Sequence, residues 1–151
     1  MTFMQKLRKS AKEKKGFTLI ELIIVIAIIA ILIALIAPNL VKFLSTAKST
    51  SVDANAKTAY TSIQTYLTEK ETAGTPVAAK TYFITSDGSN LKVEEGSLGG
   101  TANAAMATDL EAYFNVKELK SVTITAVVSN SSALKSVSWL SNGQTGNYPS
   151  N

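Results

Sequence analysis

The sequence predicts an α+β protein, in which a long N-terminal α-helix, membrane-spanning in its first half and amphipathic in its second, packs against a small antiparallel β-sheet head. Three observations point there. Phe17 to Ala37 is apolar except for Thr18 and Glu21. Apolar side chains then recur at three- and four-residue steps as far as Leu67, the spacing of one helix face. Beyond Gly74 the pattern turns to alternation, as in Val122, Ile124, Ala126 and Val128, which is the mark of half-buried strands.

Charge divides the chain more sharply than hydropathy does. Residues 1–16 carry Lys6, Arg8, Lys9, Lys12, Lys14 and Lys15 against Glu13, a net of +5. The whole chain is +4 (15 basic, 11 acidic), so residues 17–151 hold 9 basic and 10 acidic groups, a net of −1. The basicity belongs to the leader, where Lys and Arg ahead of an apolar span keep that end in the cytoplasm. The head has no excess of positive charge to hold phosphates, so no nucleic acid is expected as its partner. There is no Cys and no His. That excludes disulfides, thiol nucleophiles, Cys/His zinc centres and imidazole acid–base catalysis. No enzyme activity, metal or cofactor is expected.

Four segments follow in order. Residues 1–16 form a polar leader. Residues 17–37 form an apolar helix of about 32 Å, enough to cross a hydrocarbon core of about 30 Å. Pro38 lacks a backbone donor and is expected to kink the helix without ending it. Residues 38–73 continue it, with Val52, Ala56, Ala59, Ile63 and Leu67 on one face. Gly74-Thr75-Pro76 opens the head, residues 74–151. A core drawn from about eighty residues is marginal alone, so the head is expected to lean on the helix. Within it, Thr81–Thr85 reads as a strand, Ser86–Asn90 as a turn and Gly96–Gly100 as a loop. Thr108-Asp109-Leu110-Glu111 reads as a capping box opening a short helix. Val122–Val128 and Ser136–Leu140 read as strands joined around Asn130-Ser131-Ser132. Gly143–Asn151 reads as a polar tail with Tyr148 and Pro149 folded back. Tyr60, Tyr66, Tyr82, Phe83, Tyr113, Phe114 and Trp139 are expected in the core and at interfaces.

The informative stretch is Lys15-Gly16-Phe17-Thr18-Leu19-Ile20-Glu21, running into sixteen residues, Leu22 to Ala37, without a polar side chain. A carboxylate in such a span costs roughly 2.5–3.5 kcal/mol on insertion scales. No basic residue lies between Phe17 and Ala37, so the span itself offers Glu21 no partner. Cleavage between Gly16 and Phe17 makes one: an α-amino group at Phe17. Between staggered copies, that amine meets Glu21 of a neighbour and fixes axial register, as a buried polar residue does in a coiled coil.

Gly16-Phe17-Thr18-Leu19-Ile20-Glu21, the apolar run and Pro38 together resemble the class III signal of type IV pilins and pseudopilins. The resemblance covers roughly residues 10–60. It implies a prepilin peptidase that cuts after Gly16 and N-methylates Phe17. It implies that Glu21 serves recruitment and neutralises the neighbouring amine, and that Pro38 bends the helix. It also implies self-assembly into a helical homopolymer, with a membrane platform protein and an assembly ATPase as partners. The precursor would sit in the cytoplasmic (inner) membrane, and the product would be a surface pilus for adhesion or motility. The alternative on the same signal is a pseudopilin of a type II secretion or competence DNA-uptake system. Many members carry a glycine eight residues before the proline, where this chain has Ala30, and many close a C-terminal loop with a disulfide that this chain cannot form.

Blander and rival readings stand beside these. Glu21 is an incidental interfacial charge on a plain anchor, and Lys14-Lys15 only a positive flank. Ser45-Thr46-Ala47 has the small residues of a signal-peptidase site, giving a mature start at Lys48. Asp87, Ser89 and Asn90 touch a calcium ion, with Glu94-Glu95 close by in sequence, or these are merely a turn and a solvated acidic pair. Asn130-Ser131-Ser132 is a glycosylation sequon, or only a loop.

Overall fold

A computed structural model describes residues 2, 3, 5, 16–130 and 133–150 of the chain. Lys14, Lys15, Ser131 and Ser132 lie outside them. Two compact units divide it, Met1–Phe43 and Leu44–Asn151.

Helix α1 spans Leu19–Thr72 and runs on through Pro38 without interruption. In the first unit every described residue of α1 is exposed. Val25, Ile26, Ile29 and Ile33 lie bare, as do their apolar neighbours. In the second unit α1 has a buried stripe: Val52, Ala56, Ala59, Ile63, Tyr66 and Leu67. Small residues stand at 56 and 59, and larger ones fill the core further along.

Six strands form one sheet: β1 (Thr81–Ser86), β2 (Leu91–Glu95), β3 (Thr101–Ala102), β4 (Val122–Val128), β5 (Leu134–Ser141) and β6 (Gln144–Tyr148). Their spatial order is β3-β2-β1-β4-β5-β6, with every neighbouring pair antiparallel. Only the step from β3 to β4 leaves the hairpin pattern, and it carries helix α2 (Ala104–Leu110). The central register aligns Ile84 with Ile124 and Ile124 with Trp139. In β4 burial alternates along the whole strand, which is the period-two pattern made physical. The core therefore sits between α1 and the sheet, where Ala59, Ile63 and Leu67 meet Tyr82, Ile84, Val93, Ile124, Ala126 and Val137 in one buried cluster. The expected lean of the head on the helix is thus real.

Three expectations need correction. The short helix begins four residues before Thr108 and ends at Leu110. Asn103 caps it, its Oδ1 accepting from the Met106 N–H at 2.9 Å, while Thr108 Oγ1 donates back to the Ala104 carbonyl. Glu111 does not close a capping box; its Oε1 accepts from the Leu91 N–H at 3.0 Å, tying α2 to β2. The polar tail is instead an edge strand. Asn142 (φ 50°) and Gly143 (φ 75°) make the two-residue turn into β6. There Gly146 lies against the Val52 and Asp53 backbone, and the Asn147 N–H donates to Asp53 Oδ1 at 3.2 Å. Tyr148 meets Tyr60 edge-on, with ring centroids 5.0 Å apart. These contacts hold the C-terminal region without a disulfide. Finally, Glu94 and Glu95 are not a solvated pair. Glu94 is buried, accepts from the Gly99 N–H at 2.7 Å and pairs with Lys92. Glu95 bridges Lys80 (2.6 Å) and Asn103 Nδ2 (2.8 Å). The segments holding β2 and β3 carried no strand prediction.

Candidate processing and assembly site

Gly16, Phe17 and Thr18 are non-helical, and Phe17 is 89% exposed. The helix begins immediately after them, its first turn closed by the Leu22 N–H to the Thr18 carbonyl at 3.2 Å. The first N–H groups of any helix lack intrahelical partners, and in an apolar setting each is costly. Here a reciprocal cap supplies them. Thr18 N–H donates to Glu21 Oε2 at 2.9 Å, and Thr18 Oγ1 donates to the same oxygen at 3.1 Å. The Glu21 N–H returns to Thr18 Oγ1 at 3.3 Å. This is the Thr-x-x-Glu capping box, and its carboxylate also sits where the helix dipole favours negative charge.

The span still offers Glu21 no charged partner, but it does offer hydrogen-bond donors, two of them, both on Thr18. Thr-x-x-Glu at 18–21 was the signal that would have found them. The peptide between Gly16 and Phe17 lies outside the helix, in a stretch with no described backbone hydrogen bond of its own. Pro38 is inside α1, and Ala30 to Pro38 is helical throughout. From Leu22 to Ala37 the helix presents an apolar surface on all sides, and beyond Pro38 Leu40, Val41 and Phe43 are exposed as well. It is long and apolar enough to cross a membrane.

Among the described residues no three His, Cys, Asp or Glu side chains converge. Asp87 Oδ1 accepts from the Ser89 and Asn90 N–H groups at 2.7 and 2.8 Å, which holds its carboxyl below the usual range. That is the ordinary chemistry of an Asx turn. Tyr66 and Tyr82 are buried, and burial, with Asp109 and Glu95 respectively adding to it, pushes their phenols up to about 12. Tyr113 donates to the Glu69 carboxylate, which raises its phenol, and Lys70 pairs with Asp109 at 2.6 Å. These contacts tie the last turns of α1 to α2 and the turn after it. Asn55, Ser62, Phe114, Glu118 and Trp139 are among the residues lining a crevice of about 270 Å³ beside α1.

Residues 11–37 match the family model of the prokaryotic N-terminal methylation motif. The matched segment contains Gly16, Phe17, Thr18 and Glu21 and stops one residue short of Pro38. This motif is the class III signal of type IV pilins and pseudopilins. It supports a type IV pilin-like or pseudopilin protein in general, with processing by a prepilin peptidase and insertion in a membrane. Comparison with curated proteins and with solved structures gave no match for the chain.

Proposed function

We propose that the mature chain is the structural subunit of a type IV pilus. A prepilin peptidase cuts after Gly16 and methylates the new amine of Phe17. The precursor waits in the cytoplasmic membrane, spanning it with residues 17–37. A platform protein and an ATPase then move it into a helical homopolymer at the cell surface. The observation that carries this reading is one helix, apolar on every side from Leu22 to Ala37, behind a carboxylate fixed at its mouth. In a filament the neighbours' helices replace lipid around it. Each large apolar side chain so covered is worth about 25 cal/mol per Å² relative to water. A subunit once out of the bilayer is thus held without covalent links. The heads, residues 74–151, face outwards.

Intact mass of the chain from its native host tests the first step: a start at methylated Phe17 is expected, and a start at Met1 or Lys48 would refute it. Electron microscopy tests the second. Long fibres built mainly of this chain are expected on intact cells. Loss of secretion or DNA uptake without such fibres would assign the chain to a pseudopilin system instead.

A further inference from the structure

We propose that the head cross-links itself: the side-chain amine of Lys80 condenses with the side-chain amide of Asn103, Glu95 carries the protons, and ammonia leaves. The reaction lies within the head and needs neither cleavage at Gly16 nor assembly.

The parts of an amide exchange meet where β1, β2 and α2 begin or end. Lys80, the residue before β1, places Nζ 2.6 Å from Glu95 Oε2. Asn103, the residue before α2, donates from Nδ2 to the other oxygen of the same carboxylate, Oε1, at 2.8 Å. Nucleophile and leaving nitrogen are thus held on one group able to pass protons between them. The Asn103 carbonyl is engaged too, its Oδ1 accepting from the Met106 N–H at 2.9 Å. That donor stabilises charge on the oxygen of a tetrahedral intermediate. Capping alone does not need this arrangement. Asp, Ser or Thr also accepts from a helix N–H, but only an amide brings a nitrogen that can leave. The Glu95 side chain is 19% exposed and stands opposite the buried Tyr82 in the β1–β2 pair, so little water competes for it. Lys80 is 51% exposed, and ammonia released beside it has a way out to solvent.

The groups stand as they are before reaction. From the ion pair, Lys80 passes one proton to Glu95 across the 2.6 Å contact. The neutral amine then attacks Asn103 Cγ, and the carbonyl π electrons move onto Oδ1. Glu95 gives its proton to Nδ2 and takes one from Nζ. The carbonyl re-forms, the Cγ–Nδ2 bond breaks, and ammonia departs with the last proton of Glu95 as ammonium. One amide bond forms, one breaks, and nothing is oxidised or reduced. Exchange between free amides and amines is slow, but well-oriented groups reach effective molarities of about 10⁵–10⁸ M. Dilution of the ammonia makes the step one-way. The product keeps the Asn103 carbonyl, so the cap on Met106 survives. Residues 80 and 103 then close a loop around β1, β2 and β3, restraining the unfolded chain as a disulfide does, in a protein with no Cys.

The test is mass spectrometry of the full chain in detergent, fresh from cells and after a week at neutral pH. Wild type is expected to weigh one ammonia less than its sequence. Trypsin cuts after Lys70, Lys92 and Lys117, and a linked Lys80 resists it. One branched peptide is therefore expected, with residues 71–92 joined to residues 93–117. Lys80→Arg keeps the charge beside Glu95 and is expected to keep the full mass. Glu95→Gln keeps the shape but not the base, and is expected to link at least about a hundredfold more slowly. Unfolding followed by Trp139 fluorescence shows that each variant is folded. A wild-type chain of full mass at both times, with its two peptides separate, overturns the inference. So does an ammonia loss that persists in Lys80→Arg, since Asn103 closing on its own backbone as a cyclic imide sheds the same mass. Linking of Glu95→Gln at the wild-type rate overturns the part given to Glu95.

Discussion

Replacing Gly146 with alanine puts a methyl group where no side chain can yield. The new Cβ would overlap the carbonyl group of Val52 and the nitrogen of Asp53, all main-chain atoms of α1. The strand must retreat from the helix or the helix must bend. Such overpacking costs about 1–3 kcal/mol. Retreat also weakens the bond from the Asn147 N–H to Asp53, exposed and worth about 1 kcal/mol. It separates Tyr148 from Tyr60 as well, an edge-on pair worth about 0.5–1.5 kcal/mol. The expected destabilisation is about 3–5 kcal/mol. For a unit of roughly 100 residues each kcal/mol moves Tm by about 4–8 °C, so a fall of more than about 12 °C is expected. The assay is thermal unfolding of the chain in detergent micelles, followed by the fluorescence of Trp139, the only tryptophan. Thr145→Ala, exposed on the same strand, is the control and should move Tm little. If Gly146→Ala melts within about 2 °C of that control, the close approach of β6 to α1 is wrong, and with it the account of how the C-terminal region is held.

Other perturbations probe the remaining links. Ile63→Ala, at a fully buried site between α1 and the sheet, should cost about 3 kcal/mol by denaturant titration. Asn103→Ala removes the α2 cap and the bond to Glu95 and should cost about 1–2 kcal/mol in the same assay. Tyr66 and Tyr82 have folded-state values of about 12, above an unfolded value near about 10. Their contribution is therefore complete below the unfolded value and is lost as pH rises through the folded one. Tyrosinate absorbance should show the phenols of Tyr66 and Tyr82 ionising late, together with unfolding. At the acid end, Lys92 with the Gly99 N–H, and Lys80 with Asn103, hold Glu94 and Glu95 below the ordinary carboxylate range. That contribution is present above the ordinary range and fades as pH falls through the depressed values, so acid titration of the same fluorescence should show stability declining there. Glu21→Ala should leave the chain made and inserted yet poorly recruited into filaments beside wild type, and normal recruitment would remove the register argument.

The long helix was legible because its information is local: an apolar run, then Val52, Ala56, Ala59, Ile63 and Leu67 at helical steps. So was β4, whose alternation needs no knowledge of its neighbours. Three Thr-x-x-Glu patterns occur, at 18–21, 68–71 and 108–111; the second lies inside α1, and only the first forms a capping box. At 108 the helix has already begun, because Asn103 ahead of Ala104-Ala105-Met106 is the better start. Asn142-Gly143 was a readable turn signal, but the segment after it, Gln144-Thr145-Gly146-Asn147-Tyr148, has almost no β-branched residues. It becomes a strand through pairing with β5 and through a backbone contact with a helix ninety residues earlier, which no local pattern encodes. Glu94 and Glu95 disguised β2 in the same way: only the folded chain brings Lys80, Asn103 and the Gly99 N–H to them. At the N-terminus the motif singled out Gly16, Phe17 and Glu21 from local sequence alone, while the hydrogen bonds between Thr18 and Glu21 are what the structure adds.

The sheet gives adjacent molecules almost no loose main chain to grasp. On one margin β3 is two residues long; on the other, β6 lies under α1 with Asp53 occupying an amide. Long bare margins are what let β-proteins zip into aggregates when crowded. Edge-to-edge pairing of this sheet with that of another copy is therefore disfavoured at both margins.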